Sequence, residues 1–293
     1  MRIVEFEAKS ILTPSKLPDA DYVANPYTGC AFACQYCYAS FMGRYAGESI
    51  EDWGEYVHVK TNAVQLLEAD LARLERTDRQ GSILLSSVTD AWQGVEKKYR
   101  LTRGMIELLA RERYPGLISI LTKSPLVLDD IDRLKTLQRV EVGVTITTTD
   151  DALSRLLESR APLASRRLKM LKRLNEAGLS TYAFVGPLLP HFAMKPELLD
   201  KLFAQIAEAG TTDIYCEQIN LSAYIRQRLD GAIEKLDPSL RAAYSVADER
   251  DHRQRLEALV EQLMPKHGLR LRMGRVLDHR KDASEASGGS ISA

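Results

Sequence analysis

The chain of 293 residues has only four cysteines, three of them packed into the short stretch Cys30, Cys34 and Cys37. That arrangement excludes a secreted disulfide framework and leaves metal ligation or thiol chemistry. Net charge is also missing: 40 Lys and Arg balance 40 Asp and Glu. Bulk electrostatics therefore give no support for non-specific nucleic-acid binding, and only a local basic patch could supply it. No run of about 18 apolar residues occurs, so no spanning helix is expected. The opening Met1-Arg2-Ile3-Val4-Glu5-Phe6-Glu7 carries acids in place of an apolar signal core. The expectation is a cytoplasmic protein with no membrane partner. Neither a Walker A loop nor G-x-G-x-x-G is present, which removes the common phosphate-binding loops. No internal repeat is visible.

What the chain does contain is a regular alternation. Short apolar runs at 22–24, 83–88, 117–121, 140–146, 181–185 and 213–217, with a further candidate at 269–273, are separated by helical patterns. Leu67, Leu71 and Leu74 share one helix face, as do Met105, Leu108 and Leu109. Leu168, Leu171 and Leu174 precede Gly178, a C-cap, and Leu198, Leu199, Leu202 and Ile206 follow Pro196, which suits a first turn. Strand–helix units in this order predict an α/β fold with a parallel sheet, a partial (β/α)6 TIM-like barrel. In such barrels the site collects at the C-terminal strand ends. The expected organisation is an extension over 1–20, a core barrel over 21–220, a helical extension over 221–280 and a disordered tail over 281–293. Segments 39–60 and 222–265 are expected to cap the barrel mouth.

The cysteines follow the first strand with the spacing C-x3-C-x2-C. Three readings suit them from the residues alone. A zinc site would need a fourth ligand, with His58 or His191 as distant candidates. A disulfide would leave one thiol over. An iron–sulfur cluster would keep one iron free for chemistry. No second cysteine cluster exists, which argues against auxiliary clusters.

The stretch 25–38, read as N-P-Y-x-G-C-x3-C-x-Y-C-Y, resembles the radical S-adenosylmethionine (SAM) superfamily, and within it the spore photoproduct lyase-like branch. Ser86-Ser87-Val88-Thr89-Asp90, Leu121-Thr122-Lys123-Ser124, Val144-Thr145-Ile146-Thr147, Glu158-Ser159-Arg160-Ala161-Pro162 and Gly186-Pro187-Leu188-Leu189-Pro190 are similar to the same branch. The resemblance spans roughly residues 20–220. It implies a radical SAM barrel in which Cys30, Cys34 and Cys37 hold a [4Fe–4S] cluster whose free iron binds SAM. Reduction of that cluster would cleave SAM to a 5′-deoxyadenosyl radical, which abstracts hydrogen from an organic substrate. It also implies a reducing partner such as flavodoxin or ferredoxin. The substrate, the fate of SAM and the oligomeric state are not legible.

Physical reading of the strand ends supplies candidate SAM contacts. Thr89 and Asp90 can accept from an ammonium group, and Lys123 can pair with a carboxylate. Thr145 and Thr147 share a strand face by the two-residue period. The resemblance implies that Tyr36 lies against adenine, and Gly186 would let a flat base approach the backbone. Duller readings exist: a turn for Asp90, a solvated Lys123, ordinary β-branched residues at 145 and 147. The argument for a site is their convergence on one end of the sheet. Trp92 and Gln93 are expected at the substrate opening, and Tyr27, Tyr38 and Tyr99 as lining, radical relay or ordinary packing. His191 is read as an acid–base candidate or a structural histidine. The basic run Arg155, Arg160, Arg166, Arg167, Lys169, Lys172 and Arg173 is either a solvated helix face or a phosphate-binding patch. One departure matters. The branch's namesake uses a hydrogen-donating cysteine where this chain has Val88, so thymine-dimer repair is not expected. Cys216 is the remaining thiol, a candidate hydrogen donor or a buried structural cysteine.

Overall fold

The computed structural model describes residues 1–278. The expected tail over 281–293 lies outside the described residues. Eleven strands form in them: β1 (Arg2–Phe6), β2 (Leu12–Pro14), β3 (Tyr22–Ala24), β4 (Tyr27–Thr28), β5 (Tyr56–Lys60), β6 (Ile83–Leu85), β7 (Ile118–Thr122), β8 (Val140–Thr145), β9 (Ser180–Leu188), β10 (Asp213–Gln218) and β11 (Arg270–Leu271). The main sheet runs β11-β10-β9-β8-β7-β6-β3-β2, parallel throughout except for β2 against β3. It curls without closing, which makes it a partial TIM-like barrel with β2 and β11 as its edges.

Near-continuous apolar runs form these strands because both faces are covered. Ile83, Leu85, Ile118, Ile120, Val142, Val144, Ala183, Val185 and Ile214 face the helices and are at most 1% exposed. The helices are amphipathic as the spacing predicts. Among them, α1 (Ala63–Arg76) buries Leu67, Leu71 and Leu74, and α3 (Leu101–Arg111) buries Met105, Leu108 and Leu109. The next are α5 (Asp151–Leu157) and α6 (Ala164–Glu176), the latter burying Met170, Leu171 and Leu174, with Gly178 at φ +79° just beyond its end. Pro196 opens α7 (Pro196–Glu208). Here α2 (Glu96–Tyr99) and α4 (Ile131–Leu134) are single turns.

A small second sheet, β1-β5-β4, was not anticipated; in it β1 pairs parallel to β5 and β4 pairs antiparallel to it. Its side chains alternate between buried and exposed too weakly to signal strands. The further strand expected at 269–273 forms as β11, which extends the barrel sheet beside β10, after which the chain returns through a Glu217–Leu277 bridge. Between these, α8 (Ala223–Ile233), α9 (Pro238–Ser245) and α10 (Arg250–Lys266) form the helical extension. No helix among the described residues is long and apolar enough to cross a membrane.

His191 follows β9 in a short 3-10 helix (Pro190–Ala193), fully buried against Phe192 and Tyr244, with neither ring nitrogen hydrogen-bonded. It is a core histidine, remote from the cavity described below. Burial, aided by Lys195 and opposed by Asp150, lowers its pKa to about 4. The unfolded chain takes this proton near the ordinary value of about 6.5, so stability is full above that pH and falls as pH drops towards the folded value. The loss should reach about 3 kcal/mol. Urea unfolding of iron-free protein between about pH 7 and pH 4.5 should show that slope, and His191→Leu should flatten it; equal slopes would refute the assignment.

Candidate active site

The cysteine loop leaves β4 at the C-terminal end of the barrel and is fixed by residues of its own motif. Asn25 Oδ1 accepts from the backbone N–H of Ser87 (3.0 Å) and Val88 (3.3 Å), tying the loop's start to the end of β6. The hydroxyl of Tyr27 donates to buried Glu96, which also accepts from the first N–H groups of α3. Gly29 sits at φ +90°, and a Cβ there would lie 2.6 Å from the Tyr56 carbonyl oxygen, so only glycine fits.

The loop's middle hangs on Thr89 and Gln93. Thr89 Oγ1 donates to the Gly29 carbonyl (2.6 Å), and Gln93 Nε2 donates to the same carbonyl (3.1 Å) and to Thr89 Oγ1 (2.9 Å). Gln93 Oε1 accepts from Ala31 N–H (2.8 Å). Gln93 is fully buried and, like Trp92, does not line the cavity, contrary to the expected place at a substrate opening. Trp92 instead donates its indole N–H to Asp130 (2.9 Å). Gln93→Leu would strand the Ala31 N–H and should cost about 1–3 kcal/mol in iron-free protein. Urea unfolding checks the cost, and a faster proteolytic nick in the cysteine loop should accompany it.

The loop's far side is clamped by the Glu-x-Arg-x-Pro segment and by the helical extension. Cys34 and Glu158 form an antiparallel bridge, Gln35 N–H donates to Leu157 O (2.8 Å), and Arg160 N–H donates to Phe32 O (3.1 Å). Arg228 of α8 donates to the carbonyls of Cys34 and Ile50, both at 3.1 Å, and Tyr224 OH donates to the Tyr38 carbonyl (3.2 Å).

Cys30, Cys34 and Cys37 line one cavity of about 470 Å³ at the C-terminal strand ends. Burial pushes all three thiols up, Cys34 to about 12, while Lys123 pulls against that rise at Cys34 and Cys37. Thiols held this way stay protonated until a metal displaces the proton. Among the described residues, no three His, Cys, Asp or Glu side chains stand close enough to share one metal ion. His58 pairs with Glu48 (2.8 Å), and neither it nor His191 reaches the cavity, so neither zinc candidate lies beside the thiols.

Of the other expected contacts, Tyr36, Thr89, Asp90, Lys123, Thr145 and Gly186 line the cavity with the cysteines. Asp90 is nearly enclosed, and its carboxylate accepts from Thr122 Oγ1 (2.8 Å), Lys123 N–H (2.8 Å) and Trp92 N–H (2.9 Å). Burial raises its pKa and those hydrogen bonds oppose the rise. It braces the ends of β6 and β7 more than it offers itself to a ligand. Thr147 departs from expectation. β8 ends at Thr145, the two-residue period stops there, and Thr147 is fully buried away from the cavity. The space that Gly186 leaves is filled by the Phe184 ring, 1.9 Å from where a Cβ would stand. Cys216 is also turned away: Tyr215 and Glu217 of β10 face the cavity, so the residue between them faces the helices, fully buried. It is a packed thiol. Val88, at the position where the resemblance implies a cysteine, lines the cavity. Of the three tyrosines, only Tyr38 lines the cavity, with its hydroxyl on the Ser87 carbonyl (2.6 Å).

The basic run divides. Arg155 donates to the Ser159 and Ala161 carbonyls, Arg160 to Gly54 O and Glu55, and Arg167 is fully buried. Arg166, Lys169, Lys172 and Arg173 remain on the exposed face of α6, Lys172 beside Glu176 (3.9 Å).

The far wall of the cavity is aromatic and comes from both ends of the chain. Tyr182, Phe184 and Tyr215 project from β9 and β10, and the Arg272 guanidinium lies 4.9 Å from the ring centres of Tyr182 and Tyr215. Residues 16–20, after β2, meet them where the Tyr215 hydroxyl donates to Asp19, so the gap between the sheet's edges is spanned there.

Comparison with known proteins agrees with this geometry. Residues 24–202 match the family model described as the Radical SAM superfamily. An uncharacterised protein of Methanocaldococcus jannaschii is 37% identical over 225 residues, covering 76% of this chain and 80% of its own. An uncharacterised protein of Mycobacterium tuberculosis is 32% identical over 239 residues, covering 78% of this chain and 69% of its own. Among solved structures, a spore photoproduct lyase variant with bound AdoMet and dinucleoside spore photoproduct superposes with a TM-score of 0.65. That match covers 92% of this chain and 80% of the lyase at 17% identity, a likeness of fold.

Proposed function

Since the chain belongs to the radical SAM superfamily, we propose that it is an enzyme of the spore photoproduct lyase-like branch whose Cys30, Cys34 and Cys37 hold a [4Fe–4S] cluster beside a SAM-binding cavity. The observation that carries this reading is the donor set. Three thiols of one short loop line one cavity, and neither His58 nor His191, the candidates for a fourth zinc ligand, lines it with them. Three thiolates on a four-iron cluster leave one iron open.

When bound, such a cluster would supply the one-electron reduction that SAM cleavage needs, and with it the radical chemistry to take hydrogen from an organic substrate. The chain's own residues bind, orient and exclude water. Lys123 brings a cation to the cavity beside Tyr36, its Nζ 5.9 Å from that ring's centre, suited to a carboxylate. Thr145 lines the next strand end, and Thr89 fixes the loop. Leu84, Leu121, Phe184 and Tyr215 give the cavity an apolar wall that keeps water from a reactive species. A flavodoxin or ferredoxin is the proposed electron source. With Val88 in place of a thiol and Cys216 facing the helices, the cavity offers no cysteine hydrogen donor outside the loop. Dimer repair of the kind the lyase performs is therefore not proposed. A nucleic-acid substrate gains nothing from Arg155, Arg160 and Arg167, which bind protein.

Anaerobically reconstituted protein should bind about four irons per chain. With dithionite and SAM it should release 5′-deoxyadenosine. Iron-loaded protein that leaves SAM intact under those conditions would sink the proposal.

A further inference from the structure

Behind the cysteine loop lies a buried ion pair that the proposed function does not use. Glu158 and Arg167 are both completely buried and paired. Arg167 also donates to Glu158 Oε1 (3.1 Å), Ser154 Oγ (2.8 Å) and the Thr145 carbonyl (2.9 Å). Glu158 further accepts from Ser154 Oγ (3.0 Å) and from the Tyr36 hydroxyl, and Lys123 Nζ stands 3.9 Å from it. Within this triad one carboxylate thus faces two cations, a net of one positive charge. The Asp90 and Glu217 carboxylates and the Arg228 guanidinium also act on the loop's thiols and stay constant across the variants below. The Glu158 backbone is the Cys34 bridge partner, so the surplus sits against the loop.

We propose that Glu158, Arg167 and Lys123 act as a buried charge unit whose single surplus positive charge sets the electrical potential at the cysteine loop, and with it the ease of reducing the cluster held there. This rests on the reading above that the loop holds a [4Fe–4S] cluster. A three-thiolate cluster gains a further negative charge on reduction. Fixed positive charge in a poorly screened interior stabilises the reduced form. The Arg167 guanidinium and the Lys123 ammonium face the Glu158 carboxylate directly. The residues are positioning groups, acting on the cluster through the field and through Tyr36 and Cys34.

The test is a redox titration of the reconstituted full chain without SAM, following the paramagnetic signal of the reduced cluster. Arg167→Met should lower the reduced-to-oxidised ratio at fixed poise about tenfold, or about 59 mV for one electron. Glu158→Gln should raise it by a similar factor. The double variant keeps the surplus at one charge and should return close to wild type. A merely structural pair would move both single variants the same way and leave the double no better, which would overturn the proposal. Circular dichroism of the iron-free proteins reports folding. Should a single variant not fold, Lys123→Met must give the tenfold fall and Lys123→Arg none; an unshifted Lys123→Met overturns the proposal. Absence of any cluster signal in wild type would instead remove the reading beneath it.

Discussion

Cys34→Ala should give a folded, colourless protein that releases no 5′-deoxyadenosine, a complete loss against wild type. Folding survives because little of what holds the loop uses this side chain. The Glu158 bridge, the Arg228 contact and the Gln35–Leu157 bond all run through backbone atoms, and Thr89 and Gln93 secure Gly29 and Ala31 independently. Removing one buried sulfur should cost about 1 kcal/mol of stability. Chemistry does not survive, because two thiolates cannot hold the cluster with one defined open iron. Iron content, visible absorbance and product release measure the loss, and urea unfolding of iron-free protein separates it from misfolding. Product release close to wild type would remove Cys34 from the ligand set.

Arg167→Met carries the largest expected effect on stability. Both members of the pair are 0% exposed. Without the guanidinium, Glu158 keeps Ser154, the Tyr36 hydroxyl and Lys123 at 3.9 Å, while the Thr145 carbonyl loses its donor. Breaking a buried pair by removing one partner costs about 3–5 kcal/mol, and Lys123 should hold this case near the lower figure. Replacing both partners costs far less, so Glu158→Gln combined with Arg167→Met should recover most of the loss. Urea midpoints of the four iron-free proteins complete the cycle. Additive effects of the two single changes would mean that the residues do not act as a pair.

The six core strands were legible in the sequence because burial on both faces makes them apolar throughout, bounded by polar turns. That same uniformity hid Cys216: a strand apolar on both faces does not announce which residues point inward. Thr147 failed for a related reason, since the two-residue period holds only while the strand lasts. Gln93 carried no signal at all. Its partners are backbone groups some sixty residues away, and nothing in a glutamine's neighbours predicts such contacts. The cysteine motif, in contrast, stood out in the sequence, because three closely spaced cysteines are a local pattern. The Glu-x-Arg-x-Pro segment stood out as a pattern, but its role against the loop needed Arg167 and Cys34 brought together by the fold.

The seam where Asp19 meets Tyr215 has a consequence for biosynthesis. The cavity takes part of its wall from residues 16–20 and part from Met273, Arg275 and Leu277. The ribosome makes Cys34 194 residues ahead of Arg228, and the closing wall later still. Contacts this distant in sequence form late and slowly. A nascent chain therefore carries its three thiols uncovered until those later residues are made. Under the proposed function, loading of iron into a shielded site must wait for them, and oxidation of the loop in the interval is the hazard this chain order creates.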